Sequence, residues 1–135
     1  MWRASTREVL AKISGFHRRA VRQLSFSPNG NKLLSIGEDD HHSVAIYDWA
    51  SQRLIANDKV DPDPVHSACW KNENEFSTCG VKHMKIYTQN GQNLNGKKGA
   101  YLTKLPGNNI MMTAVSYVLN GDLVSGVSDG SLIRW

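Results

Sequence analysis

At 135 residues the chain has the size of one small domain, and 40% hydrophobic with 21% charged residues is the balance of an ordinary globular protein. A net charge of +4 without a long basic run suits an acidic partner and falls short of a nucleic-acid-binding signature. No stretch approaches the roughly 20 apolar residues of a membrane span. Cys69 and Cys79 are too few for a disulfide framework and read as reduced thiols, and the start, MWRASTREVLAKI, lacks the apolar core of a secretory signal.

Trp2 opens the chain at a position where an aromatic residue would close a strand. Glu8 to Ile13 alternates apolar and polar residues and reads as an outer strand, with a short amphipathic helix as the rival reading. After a loop over 15–19, three strands are expected at about Val21–Ser27, Lys32–Gly37 and Val44–Asp48, with a fourth at Arg53–Ala56. Asn29-Gly30 supplies the positive-φ pair of a tight hairpin. Pro62 and Pro64 then end strand pairing by removing backbone donors. Strands are next expected at about Val65–Trp70, Glu75–Cys79 and Met84–Tyr87, with a weak one near Gln92–Leu94 and a basic, glycine-bounded loop from Asn95 to Gly99. From Met111 to Trp135, Asn120-Gly121 and Asp129-Gly130 mark two more turns, and no fourth strand follows. Four Asn-Gly pairs and one Asp-Gly in so short a chain argue against a helical fold.

The three stretches share one grammar. The first strands end in Phe26, Trp70 and Tyr117, spaced 44 and 47 residues, and the third strands end in Tyr47, Tyr87 and Trp135. Small residues precede the first set of rings, as Ser25, Cys69 and Ser116, so that small and large side chains face opposite sides of each sheet. Gly37, Gly80 and Gly126 are expected at matching second-to-third-strand turns. A period in the forties with short strands and turn residues between them marks a propeller blade. The expected fold is all-β, a partial WD-repeat β-propeller of about three four-stranded antiparallel blades, incomplete at both ends. The expected limits are 1–14 for the end of a preceding blade, 15–59 and 60–106 for two full blades, and 107–135 for a blade lacking its last strand. Three blades cannot close a ring of roughly four to eight, which predicts a piece of a longer array.

The units look like WD repeats, with Tyr47-Asp48 in place of the Trp-Asp dipeptide and Tyr87-Thr88 as a degenerate form. The phrases GFHRRAVRQLSFSPNGNKL, SVAIYDW with Trp49, STCGVKHMKIYT, the Gly91-x-x-Leu94-x-x-Lys97-Lys98-Gly99 stretch and NGDLVSGVSDGSLIRW follow in order. This series resembles the echinoderm microtubule-associated protein-like family over about residues 2–135. The resemblance implies a cytoplasmic, cytoskeletal scaffold whose partners are tubulin and microtubules, those of a cilium or spindle included, with other proteins at the propeller loops. The alternative is a generic WD-repeat adaptor without tubulin affinity. The hydrogen-bond set usual in WD repeats, a loop His, a turn Asp, a strand Ser or Thr and a Trp, reads as incomplete in every unit, so apolar packing is expected to carry more of the stability.

Candidate chemistry is sparse. His66, Cys69, Cys79 and His83 have spacings within zinc-ligand range, but Cys69 alternates with Trp70 on a strand and reads as a small buried side chain. Asp39, Asp40, Asp61 and Asp63 lack the spacing of a calcium loop, and His41-His42 reads as a solvated turn. No nucleophile elbow, phosphate loop or kinase signature is present, so no catalytic residue, cofactor or metal is expected. Nucleic acid is not an expected partner, because the aromatic residues hold repeat positions and do not interleave with basic ones. Nor is a membrane. The candidate partner-binding residues are a basic rim of Arg18, Arg19, Arg22, Lys97 and Lys98 in or beside interblade loops.

Overall fold

The computed structural model describes residues 1–99 and 110–135. The expected blade boundary at 106/107 lies outside the described residues. Thirteen strands are seen among those described, and they form four antiparallel sheets. β1 (Trp2–Arg3) and β2 (Glu8–Val9) make a small hairpin, which replaces both the longer strand and the helix considered for this stretch. β3 (Val21–Phe26), β4 (Lys32–Gly37), β5 (Val44–Asp48) and β6 (Arg53–Asp58) form the first blade. β7 (Val65–Trp70), β8 (Glu75–Gly80), β9 (His83–Asn90) and β10 (Asn93–Lys98) form the second. β11 (Met112–Tyr117), β12 (Leu123–Val127) and β13 (Leu132–Arg134) form a three-stranded third.

Each blade is a meander because its turns are tight. Gly30, Gly91, Gly121 and Gly130 all take positive φ, as the Asn-Gly and Asp-Gly pairs require. Gly96 is the exception. Asn95, Gly96, Lys97 and Lys98 were expected in a loop, yet they pair with Thr88, Tyr87, Ile86 and Lys85 in the outer strand β10. A glycine is needed where β10 crosses the Tyr87 ring, since an added Cβ would lie 2.7 Å from it. The strand is legible only once the ring beneath it is placed.

The core lies between blades. Leu34, Ile36, Val44 and Ile46 of the first blade pack against Val65, Ala68, Trp70, Phe76 and Tyr87 of the second. Phe76 and Tyr87 stack at 4.9 Å, and Trp70 leans on Phe76 at 5.3 Å. Cys79 and Met84 of the second blade meet Met112, Val115 and Leu123 of the third. Each fully buried ring or branched chain contributes on the order of 2–3 kcal/mol by leaving water. The alternation expected at the first strands follows: Trp70 faces the preceding blade, while Cys69 packs against the cluster shared with the following one.

Polar ties cross the same boundary. The Gln23 side-chain amide donates to the Ala68 carbonyl at 2.9 Å and accepts from the Ala68 N–H at 3.1 Å. The Trp70 indole N–H donates to the Ser25 carbonyl at 3.1 Å. The Lys32 ammonium donates to the Glu73 carbonyl at 2.7 Å and to Gln89 at 3.0 Å. Trp49 pins two turns of the first blade together: its indole N–H donates to the Gly30 carbonyl at 2.7 Å, and its ring meets Phe26 edge-on.

Candidate functional site

In a meander, the loop entering a blade and the turn between its second and third strands lie at the same end. That end, called the upper face here, carries the features of interest. The backbone repeats there in all three blades. Glu38, Val81 and Ser128 each donate an N–H to the residue just before the first strand, at Ala20, Pro64 and Met111, over 2.8 to 2.9 Å. Gly37 and Gly80 stand beside this junction because nothing larger fits. An added Cβ would come within 2.2 Å of His17 Nδ1 at Gly37 and within 2.0 Å of the Pro64 carbonyl at Gly80. Gly126 is not their equivalent, contrary to expectation. The strand register puts Val127 opposite Met112, where Gly37 faces Val21 and Gly80 faces Val65. Gly126 sits one residue earlier, with its nearest neighbour a comfortable 3.7 Å away.

The hydrogen-bond set expected to be incomplete in every unit is nearly assembled in the first blade, with Tyr47 at the Trp position and His17 Nδ1 buried without a hydrogen-bond partner. His17 of the entry loop lies with Nε2 2.7 Å from Ser35 Oγ on β4, and its Nδ1 lies 3.6 Å from turn residue Asp39. Tyr47, near the end of β5, stands where a Trp would, with its hydroxyl turned toward Ser35. The Asp39 carboxylate also accepts from the Ser43 N–H at 3.0 Å and the Ser43 hydroxyl at 2.9 Å.

The second blade carries the same chemistry in reverse. Its turn is only Val81-Lys82, with Lys82 at φ 50, which leaves no place for a turn Asp. His83, the first residue of β9, takes the imidazole role, and Asp61 of the entry loop takes the acid role. His83 Nδ1 is 2.9 Å from Asp61 Oδ2, and Nε2 is 2.8 Å from Thr78 Oγ1. An ionised carboxylate can only accept, so Nδ1 carries the proton and the Thr78 hydroxyl donates to Nε2. The imidazole is 1% exposed. The entry loop is also anchored from the first blade: Val60 and Asp61 donate N–H bonds to the His41 carbonyl, and the His42 ring bonds the Asp61 carbonyl at 3.1 Å. His41-His42 therefore ties two blades together, where a solvated turn was expected. In the third blade the Trp135 indole donates to Ser125 Oγ at 2.9 Å, and Asp129 accepts from the Ser131 N–H and hydroxyl.

Burial holds the His17 and His83 imidazoles below their ordinary value of 6.5, against the pull of Asp39 and Asp61. Burial raises the two carboxyls, but it is outweighed by donors: Ser43 and the His41 N–H at Asp39, and His83 with the Asp63 N–H at Asp61. Both therefore end below the ordinary 3.8. The unfolded chain thus takes up more protons than the folded one as acid is added. Stability should be full above about pH 6.5, fall as each histidine is forced to charge, and fall again below about pH 4 as the carboxylates are lost. Urea midpoints between pH 7.5 and 5 should decrease, and His83→Gln should flatten the slope. A midpoint that holds or rises with acid would contradict the relay geometry.

The zinc candidates part company. His83 is spent on Asp61 and Thr78, Cys79 Sγ points at the Met112 carbonyl, and Cys69 meets Ser77. Burial pushes the Cys79 thiol up to about 12, which suits a side chain kept neutral. Among the described residues no group of three or more His, Cys, Asp or Glu is placed to hold a metal ion.

The basic residues form two groups. Arg18 and Arg19 enter the first blade, and Arg22 lies near the upper end of β3. All three are exposed, with Arg19 paired to Asp40 at 2.8 Å and Arg22 to Glu38 at 2.9 Å. Lys97 and Lys98 are exposed at the upper end of the outer strand β10, where Lys98 lies opposite Lys85. Lysines on an edge strand also discourage edge-to-edge pairing. Sequence reasoning missed Asp61 and His83 as a pair. The only signal was a short Gly80-x-x-His83 turn beside an acidic entry loop.

No family model matches the chain. It is 28% identical over 140 residues to echinoderm microtubule-associated protein-like 1 of Homo sapiens, covering 100% of this chain and 17% of that protein. It is 30% identical to the 77 kDa echinoderm microtubule-associated protein of Lytechinus variegatus, covering 100% of this chain and 21% of that protein. The chain thus spans about a fifth of the length of the curated relatives it matches. In structure it resembles the β-propeller domain of Cps50 (Swd1) from Myceliophteria thermophila, with a TM-score of 0.79 and 21% identity over 98% of this chain and 43% of that one. The chain is a partial WD-repeat β-propeller that is similar, along its whole length, to the echinoderm microtubule-associated protein-like proteins.

Proposed function

We propose that this chain serves as a non-enzymatic scaffold of the microtubule cytoskeleton, in the cytoplasm, with tubulin as its partner. The observation that carries this reading is similarity along the whole of this chain to proteins named for microtubule association, on a propeller fold. The upper face supplies the chemistry. Exposed Arg18, Lys97 and Lys98, with Arg19 and Arg22, are cations that an acidic polymer surface could meet there, among the acidic Glu38, Asp39, Asp40, Asp61 and Asp63 of the same loops. No helix is long and apolar enough to cross a membrane among the described residues.

Neutralising Arg18, Arg19, Lys97 and Lys98 together should lower co-sedimentation with polymerised tubulin several-fold at low salt and much less at high salt, as screening predicts. Undiminished pelleting at low salt would remove the basic rim from the reading. The second reading, a WD adaptor for another protein, draws on the Arg19–Asp40 and Arg22–Glu38 pairs, which already neutralise part of the rim. Failure of the unaltered protein to pellet with microtubules would favour it.

A further inference from the structure

Four Asn-Gly pairs and one Asp-Gly pair each place a side-chain carbonyl beside an amide nitrogen that no following side chain shields. We propose that one of them, Asn90-Gly91, is a site of spontaneous deamidation, where the Gly91 nitrogen converts Asn90 to aspartate and isoaspartate at the turn between β9 and β10. The other four pairs are held. At Asn29 the side-chain oxygen accepts from the Asn31 N–H at 2.9 Å and from the Ser27 hydroxyl at 2.8 Å, while the Gly30 N–H donates to the Ser27 carbonyl at 2.8 Å. At Asn120 the side chain accepts from the Asp122 N–H at 3.1 Å and donates to its carboxylate at 2.9 Å, and the Gly121 N–H donates to the Val118 carbonyl at 2.9 Å. Asp129 accepts from the Ser131 N–H at 2.9 Å, and the Gly130 N–H donates to the Val127 carbonyl at 3.0 Å. In all three the nitrogen that would attack is already donating, and the carbonyl it would attack is tied to the residue two places on. Asn95-Gly96 lies inside β10, where the ladder pairs Asn95 with Thr88 and Gly96 with Tyr87, and Gly96 backs onto the Tyr87 ring. Closing a ring there means lifting β10 off β9.

Asn90 has none of these restraints. It closes the hairpin opposite Asn93, and its exposed side chain makes no hydrogen bond among the described residues. Gly91 takes φ 61, an added Cβ there would meet nothing within 4 Å, and its N–H has no acceptor among the described residues. Only the Gly91 carbonyl is held, by the Gln89 side-chain amide at 2.9 Å. In the reaction the Gly91 nitrogen loses its proton and bonds to Asn90 Cγ. The Cγ–Nδ2 bond breaks, and ammonia leaves with a proton in place of the one lost. Water then opens the cyclic imide at either carbonyl, so water is consumed, ammonia is released and nothing is oxidised or reduced. Opening at one carbonyl leaves aspartate. Opening at the other leaves isoaspartate, whose backbone runs through Cβ and is a carbon longer. Both products add a carboxylate beside the groove that Gly91 and Gln92 line with Lys32 and Arg53. The longer product also pulls the turn away from Gln89, which is 7% exposed and accepts from the Lys32 ammonium at 3.0 Å across the blade boundary. The modification therefore weakens a tie between the first and second blades.

Peptide mapping by mass spectrometry tests this on purified protein kept folded in heavy-oxygen water at mildly alkaline pH. Position 90 should take up the oxygen label roughly tenfold faster than positions 29, 95 and 120, because held sites react only when the fold opens locally. In urea sufficient to unfold the chain the four rates should converge, since every pair is then unrestrained. Asn90→Gln, whose longer side chain closes the ring far more slowly, should keep its urea midpoint through the incubation while that of the unaltered protein falls. If Asn29, Asn95 or Asn120 reacts as fast as Asn90 in the folded protein, or if the folded rates are no more spread than the unfolded ones, the site is overturned. Label at position 90 with no fall in the midpoint would overturn its effect on the blade boundary.

Discussion

Gly80→Ala should destabilise the protein by roughly 3 kcal/mol or more, at the upper end of what overpacking costs. The added methyl would sit 2.0 Å from the Pro64 carbonyl oxygen, 2.8 Å from Val65 Cα and 2.9 Å from the Pro64 carbonyl carbon. All three are backbone atoms, so no side chain can swing aside. Nor can the backbone retreat easily, because the Pro64 carbonyl accepts the Val81 N–H at 2.9 Å and Val65 is fully buried against the first blade. The control is Gly126→Ala, whose methyl would meet Thr113 at 3.7 Å and Ala114 at 3.9 Å, ordinary contact distances. It should shift stability by no more than about 0.5 kcal/mol. Urea midpoints of the two variants measured side by side decide the matter. If Gly80→Ala loses no more than Gly126→Ala, the close approach of entry loop and turn is wrong.

The second large effect is expected at the reversed relay. Asp61→Ala strands a buried His83 N–H without its acceptor, and an unpaired buried donor costs about 1–3 kcal/mol. Asp61 and His83 should therefore be coupled in a double-mutant cycle by roughly 1–2 kcal/mol, within the range for residues sharing a hydrogen bond. The matching cycle in the first blade, His17 with Asp39, should give a smaller coupling. There the imidazole and carboxylate stand 3.6 Å apart rather than 2.9 Å, and Asp39 keeps three other donors. Equal couplings, or a larger one in the first blade, would mean that the reversal is incidental to stability.

These two sites show why part of the chain could be read early and part could not. Strand positions followed from local pattern. Lys32–Gly37, Val44–Asp48 and Val65–Trp70 match their expected limits, because alternation and Asn-Gly turns act over a few residues. The aromatic spacing announced repeated blades for the same reason. The relay was hidden because its members come from different loops. His17 and Ser35 are 18 residues apart, Asp61 and His83 are 22, and in the second blade acid and imidazole have traded places. A search for a loop His and a turn Asp finds neither there.

The basic rim lies between these cases. Its residues could be named in advance, but their charge balance could not, since Asp40 and Glu38 reach Arg19 and Arg22 only across the folded upper face. Likewise Lys97 and Lys98 left an expected loop for a strand once the Tyr87 ring gave β10 a surface to lie on. What the amino-acid order settled unaided is whatever depends on neighbours a few positions away: strand, turn, period and the alternation of small and large side chains. What the folded chain alone settled is whatever needs two distant segments in contact, because burial and hydrogen-bond partners belong to pairs of residues brought together in space.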